Sequence, residues 1–166
     1  MKNQLSILLA ICGLVTVIDS AFGQTWTPTG LPADAQWSCF ASSADGKTLV
    51  AEPFYPSGVV YVSTNGGVAW LSNNLPAGLQ FVSFVSVASS ADGAKLAGVY
   101  VGGVVYTSTD SGTTWVTNNI PTAAWYSIAS SADGAKLTVV AGGGNNPAGP
   151  IFRSTNAGAT WLPAST

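Results

Sequence analysis

From residue 37 onward the chain alternates short apolar runs with tight clusters of Gly, Asn, Asp, Ser and Pro. The runs are rich in Val, Tyr, Thr and Trp and have the length of strands, and the polar clusters between them have turn composition. No stretch of this region holds a 3.6-residue period, so helix is expected to be nearly absent. The pattern therefore predicts an all-β protein built from many short strands. Ahead of it lies a single apolar block, Leu5–Ile18, of a different character.

The alternation is periodic. SSADG occurs at Ser42–Gly46, Ser89–Gly93 and Ser130–Gly134. A second string follows each copy: STNGGVAW at Ser63–Trp70, STDSGTTW at Ser108–Trp115 and STNAGATW at Ser154–Trp161, recurring after 45 and then 46 residues. Trp37, Phe84 and Trp125 each lie eight residues before the Asp of SSADG. Each repeat divides into four strands: an inner strand, the SADG hairpin turn, a second strand, a variable loop, a third strand, the second-string turn and a fourth strand. Asn65, Asp110 and Asn156 can accept hydrogen bonds from turn amides, and the Gly of SADG suits a left-handed turn position.

The second string resembles the Asp-box (BNR) motif S-x-D-x-G-x-x-W, with Asn65 and Asn156 in place of Asp in two copies. Proteins with this motif, among them sialidases, sortilin-type receptors, xyloglucan-cleaving enzymes and photosystem assembly factors, carry it between the third and fourth strands of a β-propeller blade. The resemblance implies three four-stranded antiparallel propeller-type blades of about 45 residues. It also implies structural turns at Asn65, Gly67, Trp70, Asp110, Gly112, Trp115, Asn156, Gly158 and Trp161. Repeats are expected at about 37–74, 84–119 and 125–166, with a spare outer strand at 25–29 that matches the Trp161 strand. Three blades fall short of the four to eight of a typical closed propeller. Two copies could form a homodimer that completes a six-bladed ring. The chain could be part of a longer propeller, or a purely structural fragment. Three such repeats could also close as a β-trefoil or β-prism, which the box turns disfavour.

Composition then narrows the chemistry. Of 166 residues only 7% are charged, and there is no histidine; a usual domain has about 25% charged residues. Without His there is no Ser-His-Asp or Cys-His system and no His-ligated metal. With Lys+Arg at 5 and a net charge of −2, a nucleic-acid surface is not expected. Each turn offers one carboxylate, too few for calcium, so neither a metal nor another cofactor is expected. Ten of the 12 charged residues lie beyond residue 23, and seven of those belong to the repeated turns, leaving Asp34, Glu52 and Arg153. Stacked blades confine charge to their rims.

Residues 1–23 read as a secretory signal peptide: Lys2, the Leu5–Ile18 block, then Ala21 and Gly23 at the −3 and −1 positions of a cleavage site. The 24–166 chain is then expected outside the cytoplasm, secreted or periplasmic, and off the membrane once cleaved. Its one remaining cysteine, Cys39, aligns with Ser86 and Ser127 and reads as a small packed residue.

In a propeller the SADG and box turns share one face, and the variable loops converge on the other. Trp37, Phe84 and Trp125 would stand at the mouth of that variable face, with Tyr55, Tyr126 and Asn145 nearby as ligand-binding candidates. Aromatic rings with amides suit a glycan or an extracellular protein. A sialidase needs an arginine cluster, and Arg153 is alone. Asp34 and Glu52, expected in loops of the first blade, are the one pair that a glycoside hydrolase could use. The favoured reading is a non-enzymatic binding or scaffolding module.

Overall fold

A computed structural model of the chain describes residues 29–55, 58–76, 84–100, 103–142 and 149–164. The expected signal peptide, the spare strand up to residue 28, and Asn145 lie outside these residues, and of Tyr55 only the backbone is described.

Among the described residues, twelve strands form three four-stranded antiparallel sheets, each in simple sequence order. The first blade holds β1 (Gln36–Ser42), β2 (Leu49–Tyr55), β3 (Val59–Ser63) and β4 (Leu71–Asn74). The second holds β5 (Phe84–Ser89), β6 (Leu96–Tyr100), β7 (Val105–Ser108) and β8 (Val116–Asn118). The third holds β9 (Trp125–Ser130), β10 (Leu137–Ala141), β11 (Ile151–Ser154) and β12 (Leu162–Pro163). No helix occurs among the described residues. β1, β5 and β9 lie side by side as the inner strands. The expected all-β blades are present.

Burial follows from the order of the stack. β6 and β7 of the middle blade are buried at every position, because a blade covers each of their faces. β10 and β11 instead mix buried with exposed residues, as strands with one covered face do. Two apolar cores result, one per joint. Val50, Val60, Val62 and Leu75 of the first blade meet Phe84, Leu96, Tyr106 and Trp115 of the second. Ala97, Val99, Val105 and Ile120 of the second meet Trp125, Ile128, Leu137 and Val139 of the third.

Both kinds of turn are built from side-chain hydrogen bonds. Ser63 Oγ donates to Asn65 Oδ1 (2.9 Å) and accepts the Gly67 amide (2.9 Å), while Asn65 Oδ1 accepts the Ala69 amide (2.8 Å). Asp110 and Asn156 repeat the arrangement with Ser108 and Ser154. Trp70 and Trp115 each donate Nε1–H to the carbonyl of the turn glycine (3.1 Å). Trp161 Nε1 is buried without a partner among the described residues. In the SADG turns the Ser43 hydroxyl donates to Asp45 Oδ1 (2.7 Å) and accepts the Thr48 amide (2.9 Å).

The SADG turns also join the blades. Ala44 N–H donates to Ala91 C=O (2.8 Å), and Ala91 N–H donates to Ala132 C=O (2.7 Å). The turn glycine lies against the preceding blade: a Cβ at Gly93 would collide with Thr48, and one at Gly134 would stand 2.8 Å from Lys95 Cβ. At Gly46, with the same φ of 71° as Gly93, a Cβ would meet nothing within 4 Å among the described residues. Gly46→Ala should therefore lose only the left-handed backbone preference, about 1 kcal/mol. Gly93→Ala adds overpacking of about 1–3 kcal/mol. Urea unfolding of the two variants measures the difference, and equal midpoints would mean that the Gly93–Thr48 joint is not tightly packed.

Candidate functional site

Each inner strand begins with a register irregularity, at Trp37/Cys39, at Phe84/Ser86, and opposite Val140/Ala141 in the third blade. A bulge re-aims the side chain beside it. In the second and third blades it sends Phe84 and Trp125 into the joint with the preceding blade. The two rings are 1% and 0% exposed, and Trp125 Nε1 donates to Gly103 C=O (3.3 Å). This corrects the expectation of an aromatic mouth: both rings are core. Trp37 occupies the equivalent place in the first blade and is 40% exposed, its edge against Tyr61 at 5.5 Å between centroids. Tyr126 is exposed as well. Thus the structure does not bring Trp37, Phe84, Trp125 and Tyr126 together around one ligand.

The remaining exposed apolar side chains fall into groups. Leu71, Val116 and Leu162 begin the outer strands, and Val68 lies in the turn before one of them. Phe54, near the end of β2, is exposed at the loop end of the first blade, where Trp37 also sits. Phe40 stands on β1, and an open groove of about 290 Å³ lies there, lined by Leu31, Trp37, Ser38, Cys39, Phe40 and Ala51. Sequence reasoning missed Phe40. The available signal was its alignment with Val87 and Ile128, which lie within or against the two joints.

Glu52 is the second correction. It is not in a loop. It lies within β2, pairs across the ladder with Cys39, and is fully buried. Its Oε2 accepts the Phe84 amide of the next blade (3.0 Å), and its Oε1 has no partner among the described residues. Burial pushes the carboxyl up to about 9, against the opposing effect of the Phe84 N–H. Glu52 is therefore a neutral acid at pH 7 that ties two blades together. Asp34 is exposed ahead of β1. The two acids do not flank an open cleft, as hydrolysis of a glycosidic bond requires. Burial, with a smaller contribution from Glu52, pushes the half-buried Cys39 thiol up to about 12, so it is an inert thiol at neutral pH. No cluster of three or more metal-ligating side chains occurs among the described residues.

Comparison with known proteins bears on the architecture. No protein-family model matches the chain, and no curated protein matches it in sequence. Solved structures do. YCF48 bound to a D1 peptide superposes with a TM-score of 0.62 at 16% identity, over 85% of this chain and 45% of that one. An ancestral GH74 enzyme gives 0.60 at 17% identity, over 87% of this chain and 20% of its own. The RRP9 WD40 repeats give 0.64 at 12%, over 81% and 40%. The fold is that of β-propeller blades. At these identities the likeness extends to the fold alone, and the chain spans under half the length of each of these structures.

Proposed function

We propose that the chain is a non-enzymatic association module, exported from the cytoplasm, that holds an apolar segment of another protein at the loop end of its blades. The observation that carries this reading is the placement of Glu52. Its side chain is fully buried and accepts the Phe84 amide across a blade joint, which leaves contact surface rather than reactive groups beside Phe54. Trp37 and Phe54 supply that surface, since exposed aromatic rings give large contact area at low entropy cost. YCF48, one of the similar structures, is bound to a peptide, which supports a peptide over a glycan. The glycan reading relied on three rings at one mouth, and two of them are buried.

The test is selection of extended peptides from a display library, alongside a glycan array. Selected peptides should lose about tenfold or more in affinity to Phe54→Ala and Trp37→Ala, as for central aromatic anchors. Binding to glycans alone, or peptide binding indifferent to both variants, would overturn the reading. So would hydrolysis of a polysaccharide that disappears in Glu52→Gln.

A further inference from the structure

Each joint within the chain follows one rule. The Ala of an SADG turn donates its N–H to the corresponding Ala C=O of the following blade. The following blade's turn glycine packs on the preceding blade. The following blade's inner-strand aromatic fills the core of the joint. The third blade and the first blade carry the two halves of one more such joint. Ala132 N–H makes no such bond, and Ala44 C=O accepts none, among the described residues. Among the described residues a Cβ at Gly46 would meet nothing within 4 Å, where Gly93 and Gly134 are covered.

The apolar surface is divided in the same way. On the leading side of the first blade, Trp37 is 40% and Phe40 58% exposed. Their counterparts in the third blade, Trp125 and Ile128, are buried against the second. On the trailing side of the third blade, Ile151 is 45% exposed. Its counterparts, Val60 and Val105, are fully buried in the two joints. Tyr126, 63% exposed, aligns with Ser38, whose hydroxyl donates across the first joint to Phe84 C=O (2.7 Å). Donor meets acceptor, and apolar meets apolar, when a first blade follows a third.

We propose that a second copy of this chain docks head to tail, its first blade against this chain's third. The partner's Ala44 C=O would accept Ala132 N–H, its Gly46 would lie against Lys136, and its Phe40 and Trp37 would cover Ile151. A head-to-tail contact makes a ring when the rotation closes. Two copies would give six blades, within the range that propellers use. The joint continues the interfaces already present inside the chain, and it would bury the groove at Phe40. The proposal rests on reading the chain as an association module, with Phe54 as the anchor left free at the loop end because the joint would bury Trp37, and its test uses Phe40 and Ile151.

The test is the solution mass of the processed chain, measured by light scattering and native mass spectrometry. The expected result is a dimer. Phe40→Glu and Ile151→Lys should each be monomeric while still unfolding cooperatively, because both side chains are exposed in the single chain. Mixing the two variants should restore a heterodimer, since the mixture contains one joint with neither substitution. A monomeric wild type would overturn the proposal. An Ile151→Lys protein that remains a dimer would also overturn it, showing that first blades pair with each other. Peptide binding that depends on Phe54 but persists in the Phe40→Glu monomer would separate the fate of this proposal from that of the binding site.

Discussion

Trp125→Ala should destabilise the protein by about 3–5 kcal/mol, the range for deleting a large buried aromatic side chain. Trp37→Ala should cost about 1 kcal/mol or less, as exposed-site substitutions do. The two residues open equivalent inner strands beside equivalent bulges. They differ in what precedes them. Trp125 is fully buried against the second blade, packs edge-on to Phe152 at 5.8 Å between centroids, and spends its N–H on Gly103 C=O. Truncation removes that packing, leaves a cavity in the joint, and orphans a carbonyl. Trp37 has a groove on its open side, so its loss creates no enclosed void. Urea unfolding at fixed slope measures both variants. A Trp125→Ala midpoint as high as that of Trp37→Ala would show that the joint is not a packed core.

That contrast also marks what the sequence can and cannot say about this fold. A 45-residue period with glycine-bearing turns makes the blades legible, because turn chemistry is local: Ser63, Asn65 and Gly67 bond within five residues. Burial is not local. Trp37, Phe84 and Trp125 look alike in the repeat, and only the position of their blades in the stack decides which of them water reaches. An alignment of repeats therefore suggested a shared aromatic mouth where the structure has two core rings and one half-exposed ring.

Glu52 was hidden for a different reason. Glu52-Pro53 reads as the start of a loop, since Pro removes a ladder donor. The strand continues through it because Pro53 sits opposite Trp37, at the irregular start of β1, where the ladder is already interrupted. Repeat alignment puts Glu52 in register with Val99 and Val140, which was a hint of burial. Nothing local identifies its partner, since the Phe84 amide comes from 32 residues away in the next blade. The inert Cys39 was more legible, because its aligned neighbours are the small residues Ser86 and Ser127.

The buried carboxyl makes stability depend on pH in a direction opposite to that of ordinary surface acids. Burial pushes the Glu52 carboxyl up to about 9 in the folded chain, from an ordinary value of 4.5, so between these limits the folded state holds a proton that the unfolded state has released. Its contribution is complete below about pH 4.5 and is lost as pH rises toward 9, at a limiting slope of about 1.4 kcal/mol per pH unit. The turn aspartates act at the other end. Hydrogen bonds from the Lys47 amide and the Ser43 hydroxyl hold Asp45 low, and the Ser90 and Ser131 hydroxyls with the following turn amides do the same for Asp92 and Asp133. Their contribution is present above the usual Asp range and lost as pH falls below it. Stability should therefore be greatest near pH 4–5 and decline toward pH 9. The chain has no histidine, so no other side chain is expected to titrate between pH 5 and 8, and the decline up to pH 8 can be assigned to Glu52. Glu52→Gln keeps an oxygen for the Phe84 amide but has no proton to lose. Its unfolding free energy should match that of wild type within about 1 kcal/mol at pH 5, stay flat to pH 8, below the range in which the unfolded Cys39 thiol ionises, and exceed the wild-type value there. Parallel pH profiles for the two proteins would mean that Glu52 is solvated and ionised in the folded state, and that the first joint is held together without it.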